Sequence, residues 1–235
     1  MTLFLDTQQW LLNAGKGQQL LSDEQFFFQA ACSHQIIKNR VLVVGCAACS
    51  LNLRLPESVQ ILRQDVYGRH IDVWSLPEHS PWQSACFDVV LASHIAEYVE
   101  TPAVLFTEWW RISKPQASLL ITVFNPNSCW NKLPELPRLC HDMGNLIETA
   151  ESVGWRLEQC RFIRHLPLFR QPKLSQYWRW IEKVVSLLLP NSALVYGLVL
   201  TKQEYGCTPL SETIFQAIEP ELGQFALSRE MNDLK

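Results

Sequence analysis

Several short runs of apolar residues divide the chain, and each run has the length of one strand. VLVV at residues 41–44, FDVVLA at 87–92 and LLITVF at 119–124 contain few polar residues. Continuous apolar runs are typical of strands that are buried on both faces, as in a parallel sheet covered by helices. Residues 155–163 alternate instead, which predicts a half-exposed strand, and residues 193–201 predict the last strand.

Segments with apolar residues at helical spacing lie between these strands. They are residues 20–37, 95–110, 145–153 and 175–189. Ser22 with Gln25 predicts a capping box for the first helix, and Pro102 is expected in the first turn of the second. Gly154 is expected to end the third. Two shorter strands are predicted at 59–62 and 69–73, with little room for a helix between them.

Strands that alternate with helices predict an α/β open sheet that is mostly parallel. In such sheets ligands bind beyond the carboxyl ends of the strands, where the chain order reverses. The predicted strand ends place Gly45, Asp72, Ser93 and Asn125 along that edge.

Composition narrows the class of protein without identifying it. A chain of 235 residues favours one domain with an appendage over two full domains. The formal net charge of -3 gives no electrostatic reason to expect a nucleic-acid partner. No signal peptide is recognised, which indicates the cytoplasm and mostly reduced cysteines, and the apolar tract 184–200 is interrupted and too short to span a bilayer.

The decamer VLVVGCAACS, at residues 41–50, permits three interpretations. It has the strand and turn of a nucleotide-binding loop, but Gly45 is its only glycine. Its CxxC motif suggests a zinc site or a redox pair, although a lone CxxC is weak evidence and a structural zinc takes four ligands. The third interpretation is a buried strand with its exit turn.

Five blocks, in order, resemble the class I S-adenosylmethionine (SAM)-dependent methyltransferases, in the subgroup with a type 11 methyltransferase domain. The blocks are VLVVGC, HIDVWSLP, FDVVLASHIAEYV, LFTEWWRISKP and SLLITVFNPNS. The NPNS sequence and the compressed middle region resemble the YafS-like bacterial branch of these proteins. The resemblance implies a Rossmann-like seven-stranded sheet, mostly parallel with the last strand antiparallel, and a shortened region between strands 1 and 3.

The same resemblance implies SAM as the cofactor and a set of site residues, while the lone CxxC leads us to expect no metal. Gly45 matches the first glycine of the cofactor loop, whereas Ala47 and Cys49 replace two further glycines, so the loop departs from the family pattern. Asp65 matches the carboxylate for the ribose and Asp72 the acid near the adenine. His94 is the candidate catalytic base. The candidate cofactor-binding residues are Gly45, Cys46, Ala47, Asp65, Asp72, Val73 and Ser93.

The implied function is methyl transfer to an unknown acceptor, expected to be a small molecule. The alternative is a catalytically inactive methyltransferase fold that serves as a binding or scaffolding protein. We expect a methyltransferase-like domain at 1–205, with an N-terminal helical segment at 1–40 and a lid-like helix inserted at 166–191. A tail follows at 206–235, and a homodimer is possible.

Overall fold

The computed structural model describes residues 2–35, 37–68, 70–128, 141–165 and 192–204. These residues belong to one compact unit, Met1–Glu204. The predicted helix at 175–189, the lid-like insertion and the tail lie outside the described residues. In the described part of the chain, no helix combines the length and the apolar character needed to span a membrane.

Five helices and seven strands make up the described structure. The helices are α1 (Thr2–Asn13), α2 (Gly15–Ser33), α3 (Cys46–Cys49), α4 (Pro102–Ile112) and α5 (Met143–Val153), and a 3₁₀ turn covers Ala96–Tyr98. The strands are β1 (Arg40–Val44), β2 (Gln60–Asp65), β3 (Val73–Trp74), β4 (Phe87–Ser93), β5 (Ser113–Phe124), β6 (Trp155–Ile163) and β7 (Val195–Lys202).

The seven strands form one sheet in the order β3-β2-β1-β4-β5-β7-β6. Strands β1 to β5 pair in parallel, whereas β7 runs antiparallel to both β5 and β6. The predicted fold class is therefore confirmed, including the antiparallel last strand. Because β1 lies between β2 and β4, the chain order reverses there, and the carboxyl ends of these three strands meet where such sheets bind ligands.

Helices cover both faces of the sheet, which explains the continuous apolar runs of its central strands. On one face, Leu20 and Phe28 of α2 pack in a cluster with Val41 and Leu91. On the other, α4 and α5 contribute to a second cluster that includes Trp109. Every residue of β4 is buried, as expected for a strand that is enclosed on both sides.

The region between β1 and β3 is short, as predicted. Helix α3 is a single turn of four residues, and only a loop joins β2 to β3. Strand β3 has two residues and forms one edge of the sheet, while β6 forms the other. The third strand was predicted at 69–73, but it begins at Val73.

Three helix starts differ from the sequence predictions. Helix α2 begins at Gly15, so Ser22 lies inside it and the predicted capping box is wrong; the Gln25 amide instead donates to the carbonyl of Asn52. Helix α4 begins at Pro102, after a separate 3₁₀ turn, because proline fits the first helical turn and disfavours helix before it. Helix α5 begins after Asp142, whose carboxylate accepts from the Gly144 amide. Gly154 ends α5 as predicted, with φ 112°.

The contact between α2 and β7 allows a test of the packing. A Cβ on Gly197 would lie 2.6–2.9 Å from three ring atoms of Phe27, which is itself buried. We expect Gly197→Ala to lower the free energy of unfolding by about 1–3 kcal/mol through overpacking, measured by urea denaturation. Gly15→Ala is the matched control, because a Cβ there meets nothing within 4 Å. Equal effects of the two substitutions would contradict this packing.

Candidate functional site

The turn after β1 requires a glycine. Gly45 has φ 103°, and a Cβ at this position would lie 2.8 Å from the carbonyl oxygen of Ser93. Its amide donates to the carbonyl of Gln64 at 3.2 Å, and its carbonyl accepts from the Cys49 amide at 2.8 Å. The turn therefore packs directly on the end of β4 and is held to the end of β2. Cys46 and Ala47 are the first two residues of α3, directly after it.

Asp65 ends β2 beside this turn. Its side chain is buried, and Oδ1 accepts from the amide of Val66 at 2.6 Å. Because Gln64 pairs with Val44, the two strands end at the same level and Asp65 is next to Gly45 in the sheet. The structure thus brings together the predicted loop glycine and the predicted ribose carboxylate.

Asp72 occupies the edge of the sheet, before β3. Its amide donates to the carbonyl of Arg63 at 2.9 Å, and Oδ2 accepts from the Arg63 amide at 2.8 Å. The side chain is exposed, and one carboxylate oxygen extends the pairing of β2 with β3. Val73 follows in β3 and pairs with Gln64. One function of the Asp72 side chain is thus to bind the backbone of Arg63 and hold the start of β3 against β2, while its predicted adenine contact stays a prediction.

Ser93 and His94 are fully buried at the end of β4, and both bind a carboxylate that the sequence predictions did not include. Glu24 reaches from α2 to His94 Nε2 at 2.5 Å, accepts from Ser93 Oγ at 3.0 Å and receives a longer contact from Thr122 Oγ1 at 3.4 Å. Glu24 itself is 0% exposed. Its signal in the sequence is a carboxylate within the stripe of buried positions 20, 24, 27, 28 and 31 of α2.

A second buried carboxylate completes the cluster around His94. Glu97 Oε1 lies 2.8 Å from His94 Nδ1 and accepts from the Phe124 amide at 2.8 Å, while the imidazole stacks on the Phe124 ring at 3.9 Å. Burial lowers the pKa of His94, but the carboxylates of Glu24 and Glu97 outweigh it and raise this pKa to about 10. We call Glu24, His94 and Glu97 the buried triad.

At neutral pH the imidazole is therefore a cation that donates to a carboxylate from each ring nitrogen. A general base needs an unprotonated nitrogen within reach of its substrate. Such a role for His94 would require one carboxylate to release the ring, and it stays a prediction.

A cavity of about 650 Å³ lies beyond the ends of β2 and β3. Its lining includes the exposed aromatic side chains of Tyr67 and Trp74, and it also includes Gln9, Leu12, Asn13, Ser50, Gly68 and His70. Within the described residues, none of the predicted site residues lines it, although Tyr67 follows Asp65 closely. Its volume is ordinary for a small-ligand site, and aromatic faces suit a planar base.

The chemistry of these side chains suits the nucleoside part of SAM. Asp65 is a buried carboxylate acceptor beside the Gly45 turn, and aromatic side chains line the cavity that begins just after it. The one-turn length of α3 leaves few helical amides for the methionine end. A larger cavity, of about 880 Å³, lies at the amino-terminal ends of β4 and β5, around Asp88 and Lys114.

The second cysteine of the CxxC motif is a small buried side chain. Cys49 is 4% exposed, and its thiol points to the carbonyl of Val43 at 3.8 Å. Over the described ranges, no three His, Cys, Asp or Glu side chains are grouped to hold a metal ion.

Comparison with known proteins agrees with this geometry. The family model described as a methyltransferase domain matches residues 45–121. A SAM-dependent methyltransferase from Archaeoglobus fulgidus superposes with a TM-score of 0.56 at 16% identity, covering 77% of this chain and 94% of that one. The fold is that of the SAM-dependent methyltransferases. The search of curated proteins found no match.

Two other solved structures with a similar fold carry names that describe different functions. The [4+2]-cyclase SpnF has a TM-score of 0.56 at 16% identity, covering 76% of this chain and 80% of that one. A chain from the complex of the Haloferax volcanii Trm112 methyltransferase activator with a methyltransferase has a TM-score of 0.56 at 12% identity. The alignment covers 84% of this chain and 98% of that one. Similarity at this level establishes the fold, and the cyclase indicates that the fold alone does not determine the reaction.

The buried triad predicts a pH dependence of stability. Because the pKa of His94 is about 10 in the folded protein and 6.5 in the reference state, its contribution is complete below pH 6.5 and is lost as the pH rises through 10. We expect the free energy of unfolding, measured by urea denaturation, to fall across this window. His94→Gln should remove most of that decline and lower stability at pH 6.5 by about 3–5 kcal/mol, since it leaves buried carboxylates uncompensated. An unchanged pH profile in the variant would show that the triad does not titrate in this way.

Proposed function

We propose that this protein binds SAM and transfers its methyl group to an acceptor, which we take to be a small molecule. One observation supports this proposal above the others. The match to the methyltransferase family model begins at Gly45, and the turn at this residue joins the ends of β1, β2 and β4. The residue pattern further favours the YafS-like branch, with an altered glycine loop, and a cytoplasmic location.

Each candidate residue has a role in this proposal that its chemistry allows. The Asp65 carboxylate accepts from the ribose hydroxyls, and the backbone at Gly45, Cys46 and Ala47 lies along the methionine part. Asp72 and Val73 lie on the adenine side. The aromatic lining of the neighbouring cavity supports a planar base there.

The cofactor supplies an activated methyl group, whose sulfonium becomes a neutral thioether on transfer. The protein then has to hold the acceptor in line with that methyl group and to exclude water. Ser93 and His94 end the strand beside the Gly45 turn, so we place the acceptor on their side of the site. His94 acts as base in this proposal only after a carboxylate of the buried triad has released it.

A second candidate function has a specific observation in its favour. The buried triad fills the end of β4 with the protein's own side chains, and α3 offers a single helical turn beyond Gly45. Both features suit a methyltransferase fold that binds or scaffolds without transferring a methyl group. A homodimer is compatible with either function.

Calorimetric titration with SAM and with S-adenosylhomocysteine tests cofactor binding directly. A ligand at one hundred times its Kd should also stabilise the folded protein by about 2.7 kcal/mol in a thermal-shift assay. We expect Asp65→Asn to weaken binding of both ligands about 10- to 100-fold, as for loss of hydrogen bonds to a charged group. Asp88→Asn is the matched control. Asp88 is also a buried carboxylate, but it lies at the amino-terminal end of β4 and pairs with Lys114. Absence of binding at millimolar ligand would contradict the proposal.

Methyl transfer is distinguished from binding alone by incubating the protein with methyl-labelled SAM and a small-molecule extract of cells. We expect a labelled product that Asp65→Asn reduces and Asp88→Asn preserves. Tight binding of SAM without any labelled product would favour the binding or scaffolding function.

A further inference from the structure

A cavity of about 880 Å³ lies at the amino-terminal ends of β4 and β5, whereas the proposed cofactor site lies at the carboxyl ends of the parallel strands. Four neighbouring strands contribute to its lining, through Asp88 of β4, Ser118 of β5, Thr201 of β7 and Glu158 of β6. Neighbouring strands are about 4.8 Å apart, so the lining extends over about 14 Å from β4 to β6. This size suits a ligand larger than an ion or a single amino acid.

One pair of charges in the lining is already neutralised. Lys114 Nζ lies 2.7 Å from Asp88 Oδ1, and Asp88 Oδ2 accepts from the amides of Asn39 and Arg40 at 2.7 and 2.9 Å. A neutral pair attracts a ligand of either sign only weakly. Any preference of the cavity for charge therefore comes from its other side chains.

Two further side chains of the lining carry charges that nothing in the described structure neutralises. Lys38, in the loop between α2 and β1, and Glu158, of β6, are both exposed. Neither side chain makes a hydrogen bond or an ion pair with any described residue, so the two do not contact each other across the cavity. A ligand that carries one anionic and one cationic group complements both charges.

Uncharged polar side chains complete the polar part of the lining. Ser118 Oγ donates to Gln35 Oε1 at 2.5 Å. Thr201 pairs with Ser118 in the sheet, and its Oγ1 is buried without a hydrogen-bond partner in the described part of the chain. Gln116 and Gln159 are exposed, and their amide groups can both donate and accept, as the peptide groups of a bound chain require.

We propose that this cavity binds a short peptide with free termini, whose carboxylate pairs with Lys38 and whose ammonium group pairs with Glu158. A single amino acid carries the same two charges but lacks the length. An extended chain spans about 3.3–3.6 Å per residue, so three residues span about 10 Å and fit within a lining of about 14 Å. The cavity lies at the opposite end of the strands from the Gly45 turn, so this binding is independent of the proposed cofactor site.

The test is a titration of the full chain with trialanine, followed by the NMR shifts of the backbone amides of Ala117 and Ser118 in the lining. We expect saturable shifts at millimolar peptide, and much weaker binding of free alanine. Blocking one terminus removes one charge from the ligand. N-acetyl-trialanine and trialanine amide should therefore each bind about two- to fivefold more weakly than trialanine, as for the loss of an exposed ion pair.

Two substitutions assign the termini to the two walls. Lys38→Gln should weaken trialanine about two- to fivefold and leave the affinity for trialanine amide unchanged. Glu158→Gln should do the same for trialanine and leave the affinity for the N-acetyl peptide unchanged. Lys16→Gln and Glu57→Gln are the matched controls, because both residues are exposed and line neither cavity described above. All four positions are exposed, so the variants should fold like the wild type.

Several outcomes would overturn the inference. The absence of saturable shifts at millimolar trialanine is one, and alanine binding as tightly as trialanine is another. A third is that Lys38→Gln and Glu158→Gln weaken the free and the blocked peptides equally, because the charges of the two walls would then not be read by the termini. The titration contains no SAM, so none of these outcomes bears on the proposed function.

Discussion

The ion pair between Glu24 and His94 joins the N-terminal helices to the carboxyl edge of the sheet. Its two residues are 70 positions apart in sequence, and neither is exposed. Burying such a pair costs much of the Coulomb energy that it recovers, so its net contribution to stability is small compared with the cost of breaking it. The contact places Glu24 of α2 against the end of β4 and so constrains how α2 lies on the sheet. The end of β4 and the turn at Gly45 then pack in one arrangement.

This constraint bears on how the fold relates to its function. A methyltransferase needs a fixed surface for its cofactor and room for an acceptor, and in the proposed function both lie beside the one buried cluster. The same cluster that keeps the Gly45 turn in place also occupies the space at the end of β4. Retained binding with altered or absent transfer is therefore physically consistent with this site.

Much of the fold is predictable from the sequence because it depends on local patterns. Strand β6 has the predicted bounds, and the apolar runs of β4 and β5 are visible because helices cover both faces of the sheet. The buried triad was only partly predictable. His94 was recognised through its position after β4, but its partner Glu24 lies on a distant helix, where a carboxylate among polar neighbours resembles a solvated side chain. The residue pattern also could not show that Asp72 would bind the backbone of Arg63, since that bond depends on the register of β2 with β3.

The two edges of the sheet differ in a way that affects association between molecules. Among the described residues, β3 forms an edge of only two residues, and β6 forms an edge of nine, of which Arg156, Glu158 and Arg161 are exposed. Very short strands and charged side chains are both devices that discourage another chain from extending a sheet. Addition of a further strand from another molecule is accordingly discouraged at both of these edges.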